Sequence, residues 1–207
     1  MQEQKTRRTG GRIRSEEAHH AVLAATAALL EEGGYQALTI ERVAARADVA
    51  KSTIYRWWPS KPVLVLEAYR TAVERRMPDP DTGSAAEDLT VFVRALHSVV
   101  QHPPRIRALR GMMAEAQLDP EFAEPFRAWV QSRRVVVLRI LARAVDRGEL
   151  PAGADLEAAT DELFGLFWYR LLVGHNPLDP ADAPAHVERM LASLTRTQNN
   201  GQQNDGQ

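Results

Sequence analysis

The chain has 207 residues, of which 44% are hydrophobic and 26% charged, values typical of a soluble globular protein with one or two domains. It contains no cysteine, which excludes disulfide frameworks, thiolate metal sites and CxxC redox pairs. Charged residues interrupt every apolar run before membrane-spanning length, and no signal peptide is recognisable, so we expect a cytoplasmic protein with no membrane partner.

The net charge of -1 conceals an asymmetry between the two halves of the chain. Residues 1–77 carry 13 Lys and Arg against 9 Asp and Glu, whereas residues 78–207 carry 13 against 18. A basic region suits a polyanion and an acidic one does not. A nucleic-acid partner is therefore expected at the N-terminal half.

Residues 1–14 are polar and cationic, with too few apolar side chains to fold alone, and we predict a disordered basic arm. The arm could lie along phosphates or enter a minor groove, and a solvated tail is the open alternative. A helix is predicted next, from Ser15 as N-cap to a stop at Gly33 and Gly34. Its apolar stripe would brace the segment that follows.

Residues 39–61, TIERVAARADVAKSTIYRWWPSK, are predicted to form two short helices around a tight turn. Thr39 is the expected N-cap of the first helix, and Asp48 tolerates the left-handed backbone that would close the turn. Apolar residues of the first helix recur at helical spacing: Ile40, Val43, Ala44 and Ala47. This pattern predicts one buried face on the first helix.

The second helix of this segment, at about residues 50–58, is expected to bury Ile54 and Trp58. Its other face holds cations, hydroxyls and aromatics but no carboxylate: Lys51, Ser52, Thr53, Tyr55, Arg56 and Trp57. This is the helix-turn-helix arrangement, in which the second helix enters the major groove of DNA.

Residues 39–61 resemble the DNA-binding signature of TetR-type transcription regulators. The matching positions are Thr39-Ile40, Val43-Ala44, Ala47-x-Val49, Thr53-Ile54-Tyr55, Trp58 and Ser60-Lys61. The family usually has glycine where this chain has Asp48, a difference that bears on the geometry of the turn. It usually has His or Tyr followed by Phe where this chain has Trp57-Trp58, and this second difference leaves open whether Trp57 touches a phosphate or only packs. The resemblance implies an all-α homodimer, with a three-helix DNA-binding domain and a larger C-terminal helical domain for ligand binding and dimerisation.

Eight residues are assigned to DNA on this basis. Base edges are expected to be read by Lys51, Ser52 and Arg56. Phosphate or sugar contacts are expected from Thr39, Thr53, Tyr55, Trp57 and Lys61. Lys61 opens a predicted connecting helix, from Ser60 to about Met77, which completes a DNA-binding domain at residues 15–77.

The segment 78–84, PDPDTGS, is the clearest domain boundary, since it has no apolar residue. We predict a helical effector-binding and dimerisation domain at residues 78–197 and a disordered polar tail at residues 198–207. No strand or repeat signal is present. The predicted helices are 85–101, 105–118, 121–147 with a break or bend near Pro125, 156–173 and 183–195.

The predicted helix 156–173 is apolar over more than one stripe, so it must be covered on nearly all sides. We predict a homodimer in which this helix and the last one form a four-helix interface, while burial within one subunit is the alternative. Twofold symmetry would make the DNA operator an inverted repeat. The interface residues expected are Leu163, Gly165, Leu166, Val187, Met190, Leu191 and Leu194.

Large apolar side chains of the C-terminal half could line a cavity for an apolar or amphipathic small-molecule effector. Plain core packing is the more frequent outcome for any one of them. The set consists of Phe92, Leu96, Met112, Met113, Phe126, Trp129, Phe167 and Trp168. A ligand that binds better to a conformation in which the two DNA-binding domains of the dimer are wrongly spaced would lower the affinity of the protein for DNA.

The sequence contains no HExxH, GxSxG, phosphate loop or dinucleotide fingerprint, so we predict no catalytic residue, no metal site and no cofactor. The expected function is a DNA-binding transcription regulator, in the form of a repressor released by a small molecule. The rival interpretation is a helical effector-binding or scaffolding protein without specific DNA binding.

Overall fold

The structure, a computed structural model, describes the backbone of residues 3–74 and 78–201 and the side chains of residues 15–73 and 78–195. Within these ranges the chain is all-α, as predicted, and has no strand. One 3-10 turn, Pro180–Asp182, precedes the last helix. The α-helices are α1 Glu3–Ala37, α2 Ile40–Ala47, α3 Lys51–Trp57, α4 Lys61–Glu74, α5 Ala85–Val99, α6 Pro103–Leu118, α7 Pro120–Asp146, α8 Leu156–Val173 and α9 Ala183–Gly201.

Helix α1 begins earlier than predicted. It starts at Glu3 rather than Ser15, so Ser15 lies inside the helix and does not cap it. The predicted stop at Gly33 and Gly34 is a kink, because Gly34 has φ 74° and ψ 178°, a backbone conformation that glycine adopts without a Cβ clash. The side chains of the proposed basic arm lie outside the described residues, and its contact with DNA stays a prediction.

Prolines account for two further differences from the predicted helices. Helix α6 begins at Pro103, two residues early, because a proline in the first turn gives up an N–H that has no intrahelical partner. Helix α7 runs unbroken through Pro125, which removes one hydrogen bond near the start of a 27-residue helix.

Helix α9 continues past Gln198, where the tail was predicted. Residues 75–77 and 202–207, which hold the predicted end of the connecting helix and most of the tail, lie outside the described residues.

The chain divides into two compact units. The first unit comprises residues 1–75 and 107–127, and the second comprises residues 76–106 and 128–207. The division after residue 75 falls close to the boundary predicted at residues 77 and 78. Residues 107–127, which the sequence places in the C-terminal domain, belong instead with the first unit.

The first unit is built on α1, which packs against α2 and α4. Its core includes Val22, Leu38 and Leu64, each with no exposed surface. The Tyr35 ring meets Phe122 edge to face, with ring centroids 4.9 Å apart. Burial of these side chains fixes the scaffold on which α2 and α3 rest.

The second unit packs α5 and α8 against α9. Phe92 of α5 meets Phe164 of α8 edge to face, with ring centroids 6.1 Å apart. The segment 78–84, which has no regular structure, is nevertheless held in place, because the Pro80 carbonyl accepts a 2.5 Å hydrogen bond from Arg143. Asp88 accepts hydrogen bonds from the backbone and hydroxyl of Thr82, both at 2.8 Å.

Candidate nucleic-acid interface

Helices α2 and α3 form the predicted helix-turn-helix. The Thr39 hydroxyl accepts a hydrogen bond from the Arg42 amide at 3.3 Å, which confirms Thr39 as the N-cap of α2. Asp48 closes the turn in the left-handed conformation, φ 53° and ψ 47°, as the sequence predicts. The Val49 amide then donates to the Ala44 carbonyl at 3.1 Å, so the chain turns sharply into α3.

Helix α3 has one buried side and one exposed side. Ile54 is fully buried and Trp58, which ends the helix, is 1% exposed, as predicted. Thr53 and Trp57 are half-buried at the edges. The exposed side chains are Lys51, Ser52, Tyr55 and Arg56, and together they form the α3 face. The α3 face thus presents two cations, two hydroxyls and no carboxylate to solvent, a composition suited to nucleic acid.

Each cation from Arg42 to Arg56 has a partner within the chain, and the Arg56 guanidinium lies 5.3 Å from the centroid of the Trp57 ring. Arg42 donates to the Ala37 carbonyl at 2.7 Å, and Arg46 pairs with Glu32 at 2.7 Å. Lys51 pairs with Glu41 of α2 at 3.0 Å, a hydrogen bond that lowers the pKa of the Glu41 carboxyl and raises the pKa of Lys51. The ion pairs in this set are exposed, so water and salt screen them and they break readily.

Lys61 lies in a more enclosed position than an exposed phosphate-binding lysine would. Its ammonium sits 3.9 Å from the centroid of the Tyr35 ring, a cation–π contact. Burial lowers the pKa of Lys61, an effect that the nearby Glu115 partly opposes. The role of Lys61 in phosphate binding stays a prediction. It requires the ammonium either to move away from the Tyr35 ring or to contact a phosphate while it remains on the ring.

An aromatic cluster supports the C-terminal end of α3, and the sequence did not reveal it. The Trp58 indole N–H donates to Glu67 of α4 at 2.7 Å. His19 of α1 packs against Trp57 and Trp58 with centroid separations of 5.3 and 4.6 Å. In the sequence, only the adjacent pair Trp57-Trp58 indicated such a cluster, because a buried indole N–H needs a hydrogen-bond acceptor.

The eight residues predicted for the effector cavity fall in both compact units. Met112, Met113 and Phe126 belong to the first unit, and the remaining five belong to the second. Within the second unit, Phe92, Leu96 and Phe167 are buried, whereas Trp129 and Trp168 are half-buried. A single cavity drawing on all eight therefore stays a prediction.

The predicted dimer residues divide by burial. Four of them belong to the core of one chain, because they are 1–7% exposed: Leu163, Val187, Met190 and Leu194. A partner could reach only Gly165, Leu166 and Leu191 of the predicted set. The sequence pattern identified apolar helices correctly but could not separate the side that faces the chain's own core from the side that faces outward.

Other site classes find little support in the described part of the chain. It contains no group of three or more His, Cys, Asp or Glu side chains that could hold a metal ion. None of its helices is long and apolar enough to cross a membrane.

Two family patterns match the chain. The pattern described as bacterial regulatory proteins, tetR family, matches residues 22–68 and so covers the helix-turn-helix. The pattern described as tetracyclin repressor-like, C-terminal domain, matches residues 79–190, which is more than half of the chain.

Individual proteins show the same likeness. The uncharacterized HTH-type transcriptional regulator YdeS of Bacillus subtilis (strain 168) is 34% identical over 164 residues, which span 79% of this chain and 82% of that protein. The crystal structure of the TetR family transcription regulator SCO0332 has a TM-score of 0.74 at 36% identity and covers 85% of this chain and 97% of that one. The transcriptional regulator FadR from Bacillus subtilis, in complex with stearoyl-CoA, has a TM-score of 0.69 over 84% and 97% of the two chains, and its 17% identity shows the fold alone.

Proposed function

The chain belongs to the TetR family of DNA-binding transcription regulators, and from that premise we propose that it is a homodimeric repressor released from DNA by a small molecule. The observation that carries the DNA-binding role is the α3 face, which is exposed and free of carboxylates while Ile54 and Trp58 anchor the helix beneath it. Lys51, Ser52 and Arg56 read base edges in a major groove. The backbone of the duplex is held by Thr39, Thr53, Tyr55, Trp57 and Lys61.

Selection of bound duplexes from a random DNA pool tests the proposal. A homodimer should enrich an inverted repeat whose half-sites lie about one helical turn or a small multiple apart. Enrichment of no sequence would contradict the proposal and favour a helical effector-binding or scaffolding protein instead. An enriched site without twofold symmetry would contradict the dimer alone.

Two lysine variants separate base reading from backbone positioning. Lys51→Ala should weaken binding to the selected duplex by about tenfold and relax the preference at one base position. Lys61→Ala should weaken binding to selected and random duplexes alike, and it should flatten the salt dependence by about one unit. Equal effects of both variants on both duplexes would refute these assignments.

The dimer is supported by an apolar strip on α8 that the second unit leaves uncovered. Its members recur at helical spacing and include Gly165, Leu166, Tyr169, Leu172 and Val173. Four side chains on this strip are large and apolar, so a second copy of the strip would bury them, and exposed Gly165 allows close approach of two helices. In the proposed interface, this strip takes the place of Leu163, Val187, Met190 and Leu194, which are buried in the core of one chain.

Light scattering of size-separated protein tests this interface. Leu172→Asp should convert the dimer to monomer, because Leu172 is 43% exposed in one chain and would be buried beside its copy. Val91→Asp is the matched control, since Val91 is 40% exposed in the same unit but lies on α5. Dissociation by both variants, or by neither, would contradict the proposed interface.

Two observations support an apolar or amphipathic effector. The core of the second unit contains the aromatic residues Phe92, Phe164 and Phe167. The FadR structure, which has the same fold, is a complex with stearoyl-CoA. Titration of the protein–operator complex with stearoyl-CoA, as an amphipathic probe, should lower operator affinity. Operator DNA should lower the affinity for the probe by the same factor, because coupling between two binding sites is reciprocal. Simultaneous, independent binding of both would contradict release by this class of ligand.

A further inference from the structure

Two buried histidines of the second unit each have a ring nitrogen that the rest of the described chain does not satisfy. His97 of α5 is 1% exposed, and His186 of α9 is 7% exposed. Nε2 of His97 and Nδ1 of His186 have no hydrogen-bond partner among the described residues. The two ring centroids are 6.0 Å apart, and the ring planes differ by 18°. Because an unpaired polar atom is costly to bury, the histidine pair calls for a polar group from outside the described chain.

The hydrogen bond on the other side of the His97 ring decides what Nε2 can bind. Nδ1 lies 2.9 Å from the Asp179 carbonyl, which can only accept, so Nδ1 carries the proton. Burial lowers the pKa of His97, and burial, with the neighbouring His97, lowers the pKa of His186 to about 4. Both rings are therefore neutral at neutral pH. Nε2 of His97 is then a lone-pair acceptor, and it requires a donor.

We propose that His97 and His186 form the polar subsite of the effector site and bind a hydroxyl group carried by an apolar ligand. The inference rests on the proposed function, in which an apolar or amphipathic molecule binds the protein, and it names the polar group of that molecule. The hydroxyl donates to Nε2 of His97. Its oxygen faces Nδ1 of His186, which donates or accepts according to the tautomer of a neutral imidazole.

The geometry of the histidine pair allows one hydroxyl to reach both rings. Two hydrogen bonds that share one oxygen span up to about 5.6 Å between the two nitrogens. Since each nitrogen lies at the edge of its ring, this span is compatible with the 6.0 Å between the ring centroids. A carboxylate or an ether oxygen only accepts, so it would face the lone pair of His97 Nε2 without a proton between them.

Apolar side chains adjoin the histidine pair on both helices. Val93 precedes His97 by four residues on α5, and Met190 follows His186 by four residues on α9, so each lies one turn away on the same side of its helix. Both are buried. Methionine is unbranched and adapts its shape, so Met190 can make room for the apolar part of a ligand. Asp179 is exposed, which places His97 one layer below the surface.

Calorimetric titration of the full-length protein with three matched probes at neutral pH tests the proposal. The probes are n-octanol, its isomer heptyl methyl ether, and octanoate. Octanol should bind about tenfold or more tightly than either of the others, because it alone brings a proton to Nε2 of His97. Equal binding of octanol and the ether, tighter binding of octanoate, or no binding of octanol would each overturn the hydroxyl subsite.

Nitrogen-15 NMR of the imidazole rings checks the contact without any substitution. Octanol should move the resonance of the unprotonated Nε2 of His97 to lower frequency, because this nitrogen then accepts a hydrogen bond. The resonances of His102, which is exposed in the same unit, should not move. An unchanged His97 resonance, or the same change with heptyl methyl ether, would contradict the inference.

The variant His97→Asn separates the two nitrogens of the ring. The asparagine amide can donate to the Asp179 carbonyl, as Nδ1 does, but it has no counterpart of Nε2. His97→Asn should therefore lose the preference for octanol over its isomer, and the matched control His102→Asn should keep it. A preference that survives in His97→Asn would overturn the role of His97, and the wild-type spectra decide the matter if this variant does not fold.

The outcomes separate this inference from the proposed function. Octanol that binds through the histidine pair and leaves operator affinity unchanged would support the hydroxyl site and contradict its part in release. Release of the operator by stearoyl-CoA, in a protein that does not bind octanol, would support effector release and overturn the hydroxyl subsite.

Discussion

The α3 face and the second unit use polar side chains in opposite ways. At the α3 face the charges are exposed and their partners are exchangeable, as in the Lys51–Glu41 pair. In the second unit, Asp88, His97 and His186 are buried, and each has a side-chain atom without a hydrogen-bond partner among the described residues. Exposed pairs contribute little to stability, whereas buried polar groups that lose a partner are costly.

The buried groups of the second unit form two clusters. Asp88 accepts from Thr82 and lies 3.6 Å from the Arg143 guanidinium, so it ties the segment 78–84 to α7. His97 and His186 stack with ring centroids 6.0 Å apart, and His97 bonds to the Asp179 carbonyl at 2.9 Å. The difference between the two regions teaches that the polar contacts at the α3 face can be exchanged for those of a partner at little cost, whereas the buried polar contacts of the second unit require a single packing.

The largest effect is expected from Asp88→Ala, which removes the buried acceptor of two hydrogen bonds from Thr82 and one of several partners of Arg143. It should lower the free energy of unfolding by about 3 kcal/mol, measured by urea unfolding followed by circular dichroism, because two hydrogen bonds to a buried carboxylate are lost. Asp81→Ala is the matched control, because Asp81 also pairs with Arg143, at 3.4 Å, but is 63% exposed. Similar losses for both variants would contradict the distinction between buried and exposed charges, and Asp88→Asn tests the charge separately if the alanine variant does not fold.

The second effect is a dependence of stability on pH. Burial, with the neighbouring His97, lowers the pKa of His186 from 6.5 to about 4. The folded state then excludes a proton that the unfolded chain binds, so stability is complete above pH 6.5 and falls as the pH drops toward 4. The loss should reach at most about 3 kcal/mol.

Comparison of wild type with His186→Leu isolates this contribution. The difference in unfolding free energy between the two proteins should shift in favour of the variant as the pH falls from about 6.5 to 4. His102→Leu, at an exposed position of the same unit, is the control for the loss of an imidazole side chain. Parallel profiles for wild type and His186→Leu would show that the buried imidazole is not the acid-sensitive group.

A smaller effect is expected from Trp58→Phe in the first unit. The change removes a buried indole N–H and its 2.7 Å hydrogen bond to Glu67, and it leaves a small cavity. It should cost about 1–2 kcal/mol of unfolding free energy, measured by urea titration. Trp57→Phe, at the half-buried neighbouring position, should cost less, and the reverse order would contradict the role of the Trp58–Glu67 contact.

The smallest effect concerns the turn. Asp48→Gly should stabilise the protein by about 0.5 kcal/mol, because glycine adopts φ 53° without a Cβ clash, and Asp48→Ala should destabilise it. Thermal unfolding of the two variants checks the sign. Destabilisation by glycine would mean that the Asp48 side chain contributes more than its backbone conformation costs.

The sequence by itself determined the local features of this protein. Helical spacing predicted α2 and α3, Thr39 predicted a cap, and Asp48 predicted a left-handed turn, because each depends on a few neighbouring residues. It also predicted that Ile54 and Trp58 are buried, since both fall on one side of a short helix.

Only the tertiary structure decided which distant residues meet. Glu67 accepts a hydrogen bond from Trp58, Arg143 donates to the carbonyl of Pro80, 63 residues earlier in the chain, and Lys61 lies over the ring of Tyr35. No local pattern encodes these pairs. Tertiary packing also decided that Leu163 and Val187 lie in the core of one chain, while Tyr169 and Leu172 face outward. A helix that is apolar on several sides offers more than one face for burial, and only the neighbouring helices select among them.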